Sequence, residues 1–307
     1  MNNLKTTITS YLNYCAQQKR LDTKTLNAYT TDLRQFADTV FVDNITSITP
    51  SVIESYLAHS HQNYKPKTVK RKIASLKAFF HYLEYRDLIT MNPFNKLQIK
   101  FREPVVLPKT IPLHTMELFL ATIYRRHRQA TTSYQRRSTL RDAAVAELLF
   151  STGMRISELC SLKPDNVNLY DGTILIYGKG SKERRLQVGN SAVLKILREY
   201  REEFDQEIML CRHFFANQSG KPLSDQSVRR MINKYCNLAA IEQHITPHMF
   251  RHTFATCLLE ADVDIRYIQE MLGHSSINIT EIYTHVAVGK TKDILLSKHP
   301  RKDFEVG

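Results

Sequence analysis

The chain has 307 residues and carries 43 Lys and Arg against 30 Asp and Glu, which gives a formal net charge of +13. This length suggests two domains, and the 42% hydrophobic content excludes a mostly disordered chain. No apolar run approaches the roughly 20 residues of a membrane span, and residues 1–10 lack the pattern of a secretory signal. The basic surplus indicates a polyanionic partner, although charge alone does not separate DNA, RNA and a membrane surface.

The cysteines bear on the compartment of the protein. All five are scattered along the chain, and no two of them form a CxxC pair. This spacing argues against a disulfide framework and against a zinc site. A reducing cytoplasm is therefore the expected location.

Residues 1–103 predict a helical domain. Apolar residues recur at helical spacing after a predicted N-cap at Thr23, again from about Ser51, and most clearly from Pro66 to about Leu83. The last of these segments has no acidic residue and is surrounded by cations, namely Lys65, Lys67, Lys70, Arg71, Lys72 and Lys77. Two interpretations of this helix stay open, a solvated face and a face docked on DNA phosphates.

A linker and a second domain follow. Residues 104–111 contain two prolines and lack helical periodicity, which predicts an extended linker. Residues 112–307 predict a mostly helical domain with one β-hairpin, whose strands are Thr173–Tyr177 and Arg184–Val188. Its helices are predicted at residues 141–150, 193–204, 225–239, 247–260 and 264–272, with a last one after His285. The polar stretch Tyr124–Thr139 holds five arginines, has no clear period and is predicted to be a loop.

The stretch Ser151–Glu158 combines a helix stop with an arginine. Gly153 can end one helix, so that Arg155 starts the next element. There an arginine fork and free backbone N–H groups could both face an oxyanion. Taken alone, an arginine at this place is more often an ordinary surface residue.

The stretch Thr246–Arg251 predicts the start of a helix. Thr246 is a good N-cap, and Pro247 suits the first helical position. His248 and Arg251 are three residues apart and therefore share one face of the first turn. An imidazole and a guanidinium at a helix N-terminus form a site for a phosphate.

Two further positions carry side chains that could take part in chemistry. Lys179 lies between two glycines at the tip of the hairpin, where it could donate a proton to a leaving oxygen, although a solvated turn lysine is commoner. Gly273 closes the predicted helix that precedes His274, and Tyr283 follows nine residues later. A tyrosine is more often a packing residue than a nucleophile.

Together and in this order, these residues resemble the active site of the tyrosine site-specific recombinases, the phage integrase and Xer group. The residues that carry the resemblance are Arg155, Lys179, His248, Arg251, His274 and Tyr283. The stretches STGMRISEL, GKGSKERRL, TPHMFRHTFAT and MLGHSSINITEIYTH look like that family's motifs. The resemblance covers most of residues 112–300, and residues 1–103 look more loosely like the family's helical, SAM-like core-binding domain. It implies a mainly α fold with a small β-hairpin.

The resemblance implies a role for each of these residues. Tyr283 would attack a DNA phosphodiester and become a 3′-phosphotyrosine, without any cofactor or metal. Lys179 would protonate the leaving 5′-oxygen, and His248 would act as general acid/base toward Tyr283. The remaining roles are a clamp on the phosphate by Arg155 and Arg251, a hydrogen bond from His274 and structural support by Glu158.

The resemblance also implies the partners. The family acts on double-stranded DNA with short inverted-repeat core sites, closes two domains around it as a clamp and assembles a tetramer on two sites. The helix that carries Lys67–Lys77 would lie over the major groove, and the protein would be cytoplasmic and associated with the nucleoid. The tail Val286–Lys298 would pack into a neighbouring protomer, with docking on its own domain as the alternative.

Several functions remain open at this level. A recombinase or integrase of a mobile genetic element is the main expectation, with Xer-like resolution of chromosome or plasmid dimers as the alternative. A type IB topoisomerase shares the chemistry, and a non-catalytic DNA-binding protein could share the fold. The complete set of site residues argues against the last possibility.

Overall fold

The computed structural model describes residues 3–99, 108–177 and 183–273, and the chain divides into two compact units, Met1–Val105 and Val106–Gly307. None of the helices in the described ranges is long and apolar enough to cross a membrane. All five cysteines are free thiols. Within these same ranges, no group of three or more His, Cys, Asp or Glu side chains is arranged to hold a metal ion.

The described part of the first unit is helical. Its α-helices are α1 (Leu4–Gln17), α2 (Thr23–Val40), α3 (Pro50–Asn63) and α4 (Pro66–Tyr85). Asp22, rather than the predicted Thr23, caps α2, because its carboxylate accepts the backbone N–H of Thr25 at 2.9 Å. Thr49 caps α3 in the same way, and prolines occupy the first position of both α3 and α4.

Aromatic side chains fill the core of the first unit. Tyr11 of α1 packs against Phe79 and Tyr82 of α4, with ring centroids 5.3 and 5.0 Å apart. Phe36 of α2 meets Tyr56 of α3 edge to face at 4.9 Å. Phe36 also meets Phe80 of α4, so the aromatic contacts join all four helices and each helix contributes at least one buried ring.

The second unit combines helices with a small sheet. Its described α-helices are α5 (Leu113–Arg128), α6 (Ser133–Thr152), α7 (Ile156–Ser161), α8 (Ser191–Glu203), α9 (Asp205–Cys211), α10 (Asp225–Leu238), α11 (Pro247–Glu260) and α12 (Ile265–Leu272). Its described strands, β1 (Val167–Asn168), β2 (Thr173–Tyr177) and β3 (Glu183–Gln187), form an antiparallel sheet in that order. The predicted mainly α fold with a small β-hairpin is therefore confirmed.

Helix α6 is the central element of the second unit. It packs against α5, α8 and α11, and from Thr139 onward it buries residues on nearly all of its faces, including Ala143, Ala146 and Leu149. A helical segment that is buried on most of its faces lies in the interior of a domain, as the C-terminal half of α6 does. The end of this rigid helix therefore provides a fixed starting point for the residues that follow it.

The predicted loop over Tyr124–Thr139 is wrong. Helix α5 continues through Arg128, and α6 begins at Ser133 after Thr132 has capped it. Arginines in the last turn of α5 favour the helix, since cations stabilise a helix C-terminus. The stretch showed no clear period because most of its side chains are exposed, so little of either helix faces the core here.

Candidate active site

The turn from α6 to α7 sets the position of Arg155. Gly153 ends α6 with a left-handed backbone (φ +60°), and its N–H donates to the carbonyl of Leu149 at 3.1 Å. A Cβ at this position would lie only 2.5 Å from a ring carbon of Phe254. Only glycine meets both conditions, and the tight turn places Arg155 at the start of α7.

Arg155 is tied to Glu158 through two separate contacts. Its backbone N–H donates to Oε2 of Glu158, and its Nη1 donates to Oε1, both at 2.8 Å. Its Nη2 lies 3.4 Å from the carbonyl oxygen of Gly273. The side chain remains 35% exposed, so the guanidinium is both fixed and accessible to a ligand.

Among the described residues of the site, Arg251 is the most deeply buried cation, with 3% of its surface exposed. Its Nη1 donates to the carbonyl of Gly153 at 3.0 Å, and its Nη2 donates to the carbonyl of Leu272 at 2.5 Å. These carbonyls lie at the C-terminal ends of α6 and α12, which carry a partial negative charge. Arg251 therefore joins three helices, α6, α11 and α12, at one point.

His248 lies in the first turn of α11, where part of its surface is accessible to solvent and part is covered by the protein. Desolvation lowers the pKa of His248, and the positive charges of Arg229, Arg251 and Arg155 lower it further. The imidazole is therefore neutral at pH 7 and able to accept a proton. Thr246 is the N-cap residue as predicted, but its side chain makes no capping hydrogen bond.

The pKa of the neighbouring His252, to which the sequence analysis gave no role, is shifted further than that of His248. Burial lowers the pKa of His252 to about 4, with smaller contributions from His248 and Arg251. His252 therefore stays neutral over the physiological pH range.

Glu158 is held by a second arginine that the sequence reasoning missed. The Nη1 of Arg184 donates to Oε1 of Glu158 at 3.0 Å, and its Nη2 donates to Oε2 at 2.7 Å. Burial alone would raise the pKa of Glu158, but the hydrogen bonds and charges of Arg184 and Arg155 lower it. The sequence carries a signal for this contact. Arg184 lies two residues before the buried Leu186 in β3, so both side chains are on the inward face of the strand.

Three of the predicted site residues lie outside the described residues. Lys179 falls between β2 and β3, His274 directly follows Gly273, and Tyr283 falls further along the chain. The structure thus brings together Arg155, Arg251 and His248, while the other three positions stay predictions.

The cationic face predicted on α4 holds with one correction. Lys67, Lys70 and Lys77 are exposed, whereas the ammonium of Lys72 is fully buried. Lys72 lies 3.7 Å from a carboxylate oxygen of Asp32 and 4.4 Å from the ring centre of Tyr64. The prediction that Lys72 contacts DNA is therefore wrong, because its ammonium group is buried and pairs with Asp32 inside the first unit.

Arg71, a further predicted DNA contact, is partly exposed and also forms an ion pair inside the first unit. It is 43% exposed, and its Nη1 donates to the same buried Asp32. Arg71 therefore combines an internal ion pair with an accessible surface.

Comparisons with known proteins identify two matching family profiles. Residues 124–290 match the phage integrase family, and residues 8–87 match the phage integrase N-terminal SAM-like domain. A tyrosine recombinase of Agathobacter rectalis is 68% identical over 304 residues, which cover 99% of each chain. The tyrosine recombinase XerD of Listeria monocytogenes is 35% identical, covering 98% of this chain and all of its own.

Solved structures share the fold. A XerH site-specific recombinase in a post-cleavage complex with a palindromic difH substrate aligns with a TM-score of 0.73 and 22% identity, covering 93% of this chain and 83% of its own. A lambda integrase dimer on a COC′ core site aligns with a TM-score of 0.70 and 18% identity, covering 92% and 77%. The family profiles and the full-length relatives show that this chain belongs to the phage integrase family of tyrosine recombinases.

Proposed function

We propose that this tyrosine recombinase cuts and rejoins DNA at a specific site through a 3′-phosphotyrosine intermediate on Tyr283. The observation that carries the proposal is the convergence of Arg155, Arg251 and a neutral His248 at the ends of four helices. Two guanidinium groups beside a proton acceptor suit a phosphodiester that gains negative charge during attack.

In the proposed reaction, the hydroxyl oxygen of Tyr283 attacks the phosphorus and transfers its proton to His248. The bond from phosphorus to the 5′-oxygen breaks, and Lys179 donates a proton to that oxygen. Rejoining is the reverse step, in which a 5′-hydroxyl attacks the phosphotyrosine and releases Tyr283. Each step exchanges one phosphodiester bond for another, so the bond energy is retained.

The arginines and His274 stabilise the reacting phosphate in this proposal. Arg155 and Arg251 contact its non-bridging oxygens, for which a planar fork is better suited than a lysine ammonium. His274 adds a hydrogen bond to the phosphate, and Glu158 orients Arg155 by accepting a hydrogen bond from its guanidinium. Because the guanidinium groups are held by carbonyls and a carboxylate before DNA binds, little reorganisation is needed during the reaction.

The proposed partner is double-stranded DNA with short inverted-repeat core sites, bound in the cytoplasm by four protomers on two sites. Exchange of the tail Val286–Lys298 between protomers completes this assembly. Residues 1–103 form the core-binding domain, residues 104–111 the linker and residues 112–307 the catalytic domain. Lys67, Lys70, Arg71 and Lys77 supply contacts to the DNA backbone.

Two biological roles are compatible with this chemistry. The main proposal is recombination of a mobile genetic element, a role supported by the shared fold with the Tn1549 transposon integrase. Xer-like dimer resolution is the second candidate. It is favoured by the XerD relative, which matches this chain over its whole length.

Covalent capture of DNA tests the proposed function. Wild type, Tyr283→Phe and the control Tyr267→Phe, an exposed tyrosine of α12, are expressed in the source cell and denatured rapidly. DNA that stays attached to the protein is then sequenced. Attachment is expected for wild type and Tyr267→Phe, clustered at one inverted-repeat site, and is expected to be absent for Tyr283→Phe.

The location of the captured site separates the candidates. A site at the ends of a mobile element supports the main proposal, and a single chromosomal site supports dimer resolution. Attachment scattered over the genome would replace the proposal with a topoisomerase. Attachment that persists in Tyr283→Phe would overturn the assigned nucleophile.

A further inference from the structure

We propose that Arg184 is a positioning residue for strand cleavage, which holds Arg155 through Glu158 and fixes the C-terminal end of α12. This inference rests on the proposed function and deepens it. Arg184 belongs to β3 and touches two other elements of the site, α7 and the C-terminal end of α12. It therefore connects parts of the site that are far apart in sequence.

The contact with α7 is a buried, bidentate ion pair. Arg184 and Glu158 have side chains that are 9% and 8% exposed, so neither charge is well solvated. Oε1 of Glu158 accepts hydrogen bonds from both Arg184 and Arg155, at 3.0 and 2.8 Å. The carboxylate thus lies between two guanidinium groups, one that faces inward and one that is accessible to a ligand.

The contact with α12 uses the third donor of the same guanidinium. The Nε of Arg184 donates to the carbonyl of Met271 at 3.0 Å. The side chain also packs over Gly273, where an added Cβ would lie 3.0 Å from both Cδ and Nη1 of Arg184. Gly273 has a left-handed backbone (φ +62°), which favours glycine, and its lack of a side chain leaves room for the close approach of Arg184.

These contacts close a ring around the site. Arg184 holds Glu158, Glu158 holds Arg155, and Nη2 of Arg155 reaches the carbonyl of Gly273, which itself lies against Arg184. Without Arg184, Glu158 keeps a single arginine partner, and the carbonyl of Met271 loses its donor. Arg155 is then less well oriented toward the phosphate, and the C-terminal end of α12 is less well fixed.

The geometry requires a guanidinium rather than any cation. Three donors in one plane reach two carboxylate oxygens and one carbonyl, all between 2.7 and 3.0 Å. A lysine ammonium carries a point charge and cannot match this fork. We therefore expect Arg184→Lys to preserve the charge but not the function.

Binding and cleavage measured separately test the proposal. The probe is a nicked duplex that carries the captured site, and the variants are Arg184→Lys, Arg184→Gln and the control Arg185→Gln. Arg185 is the neighbouring, exposed residue of β3. Single-turnover cleavage at saturating DNA is expected to fall roughly 10- to 100-fold in both Arg184 variants, because small misplacements of reacting groups have effects of this size. Their affinity for DNA and the behaviour of Arg185→Gln are expected to match the wild type.

A second measurement separates positioning from simple loss of structure. The cleavage rates of Arg184→Gln, Glu158→Gln and the double variant form a cycle, and their effects are expected to be less than additive because both act through Arg155. Unfolding curves identify any variant that is not folded. If Arg184→Gln is not folded, the cleavage rate of Arg184→Lys is used to test the proposal.

Cleavage by the Arg184 variants at the wild-type rate would overturn the positioning role and leave the proposed function intact. Absence of Tyr283-dependent cleavage in the wild type would overturn both. An equal loss of cleavage and DNA affinity would assign Arg184 to binding instead. Additive effects in the cycle would show that Arg184 acts independently of Glu158.

Discussion

At the scale of single residues, the site depends on charges that are paired before any ligand arrives. Arg251 is buried against two carbonyls, and Arg155 shares Glu158 with Arg184. Unpaired burial of such charges would be costly, so each cation needs its acceptors. Desolvation lowers the pKa of His248, and the positive charges of nearby arginines lower it further, which links the electrostatics of the arginines to the chemistry of the histidine.

The titration of His248 gives a pH prediction. Since its pKa lies below the ordinary imidazole value, the proton-accepting form is present at pH 7 and is lost as the pH falls. The cleavage rate is therefore expected to be constant around neutrality and to decrease only below about pH 6.5. Single-turnover cleavage rates measured across a pH series test whether the rate decreases in this acidic range.

Arg229 provides a variant for the same profile. Its positive charge is the largest charge effect on His248, so Arg229→Gln is expected to raise the histidine pKa and move the acid limb to higher pH. Arg230→Gln, an exposed neighbour on α10, serves as the control. If the cleavage rate of Arg229→Gln decreases at the same pH as that of the wild type, a group other than His248 is being titrated.

Lys72 gives a stability prediction in the first unit. Lys72→Met removes one partner of a buried ion pair and leaves Asp32 with less compensation, so the free energy of unfolding is expected to decrease by about 3 kcal/mol. Lys67→Met, an exposed residue on the same helix, is expected to change it by less than about 0.5 kcal/mol. Urea unfolding of both variants measures the difference, and equal stabilities would contradict the buried role of Lys72.

At the scale of elements, helix ends build the site. The C-terminal end of α6, the N-terminal end of α7, the first turn of α11 and the C-terminal end of α12 supply its carbonyls and cations. Rigid helices fix these ends better than a loop could, and the glycines at their C-termini allow the required turns.

The turn at Gly153 can be tested directly. Gly153→Ala forces a left-handed backbone on alanine and brings its Cβ into Phe254, so the free energy of unfolding is expected to fall by about 2 kcal/mol or more. Gly189→Ala is the matched control, because no atom lies within 4 Å of the added Cβ. Equal unfolding midpoints for the two variants would contradict the structural requirement for glycine.

The sequence predicted the elements with strong local signals. Helix α11 begins at Pro247 and ends at Glu260 as predicted, because a proline at the first position marks its start. The predicted loop over Tyr124–Thr139 failed where the apolar pattern is weak. The buried pair of Lys72 and Asp32, and the contact of Arg184 with Glu158, were not predicted because they join residues that are distant in sequence. A cation on a predicted helix or strand does not reveal which partner lies opposite.

At the scale of the whole molecule, the net charge of +13 fits a protein that binds a polyanion. The salt dependence of DNA binding measures how many phosphates are contacted. Lys67→Gln and Lys77→Gln are each expected to reduce the slope of log K against log salt by about 1, since each removes one proposed phosphate contact. Lys5→Gln, whose ammonium pairs with Asp38 at 3.2 Å, is expected to leave the slope unchanged. Unchanged slopes in all three variants would remove α4 from the DNA interface.

The central claim is that Tyr283 forms the covalent bond to DNA. The most direct measurement is mass spectrometry of the protein trapped on a nicked site, after digestion with nuclease and trypsin. A nucleotide is expected on the peptide spanning residues 267–290, and fragmentation is expected to place it on Tyr283 rather than Tyr267. A nucleotide on any other residue would contradict the account.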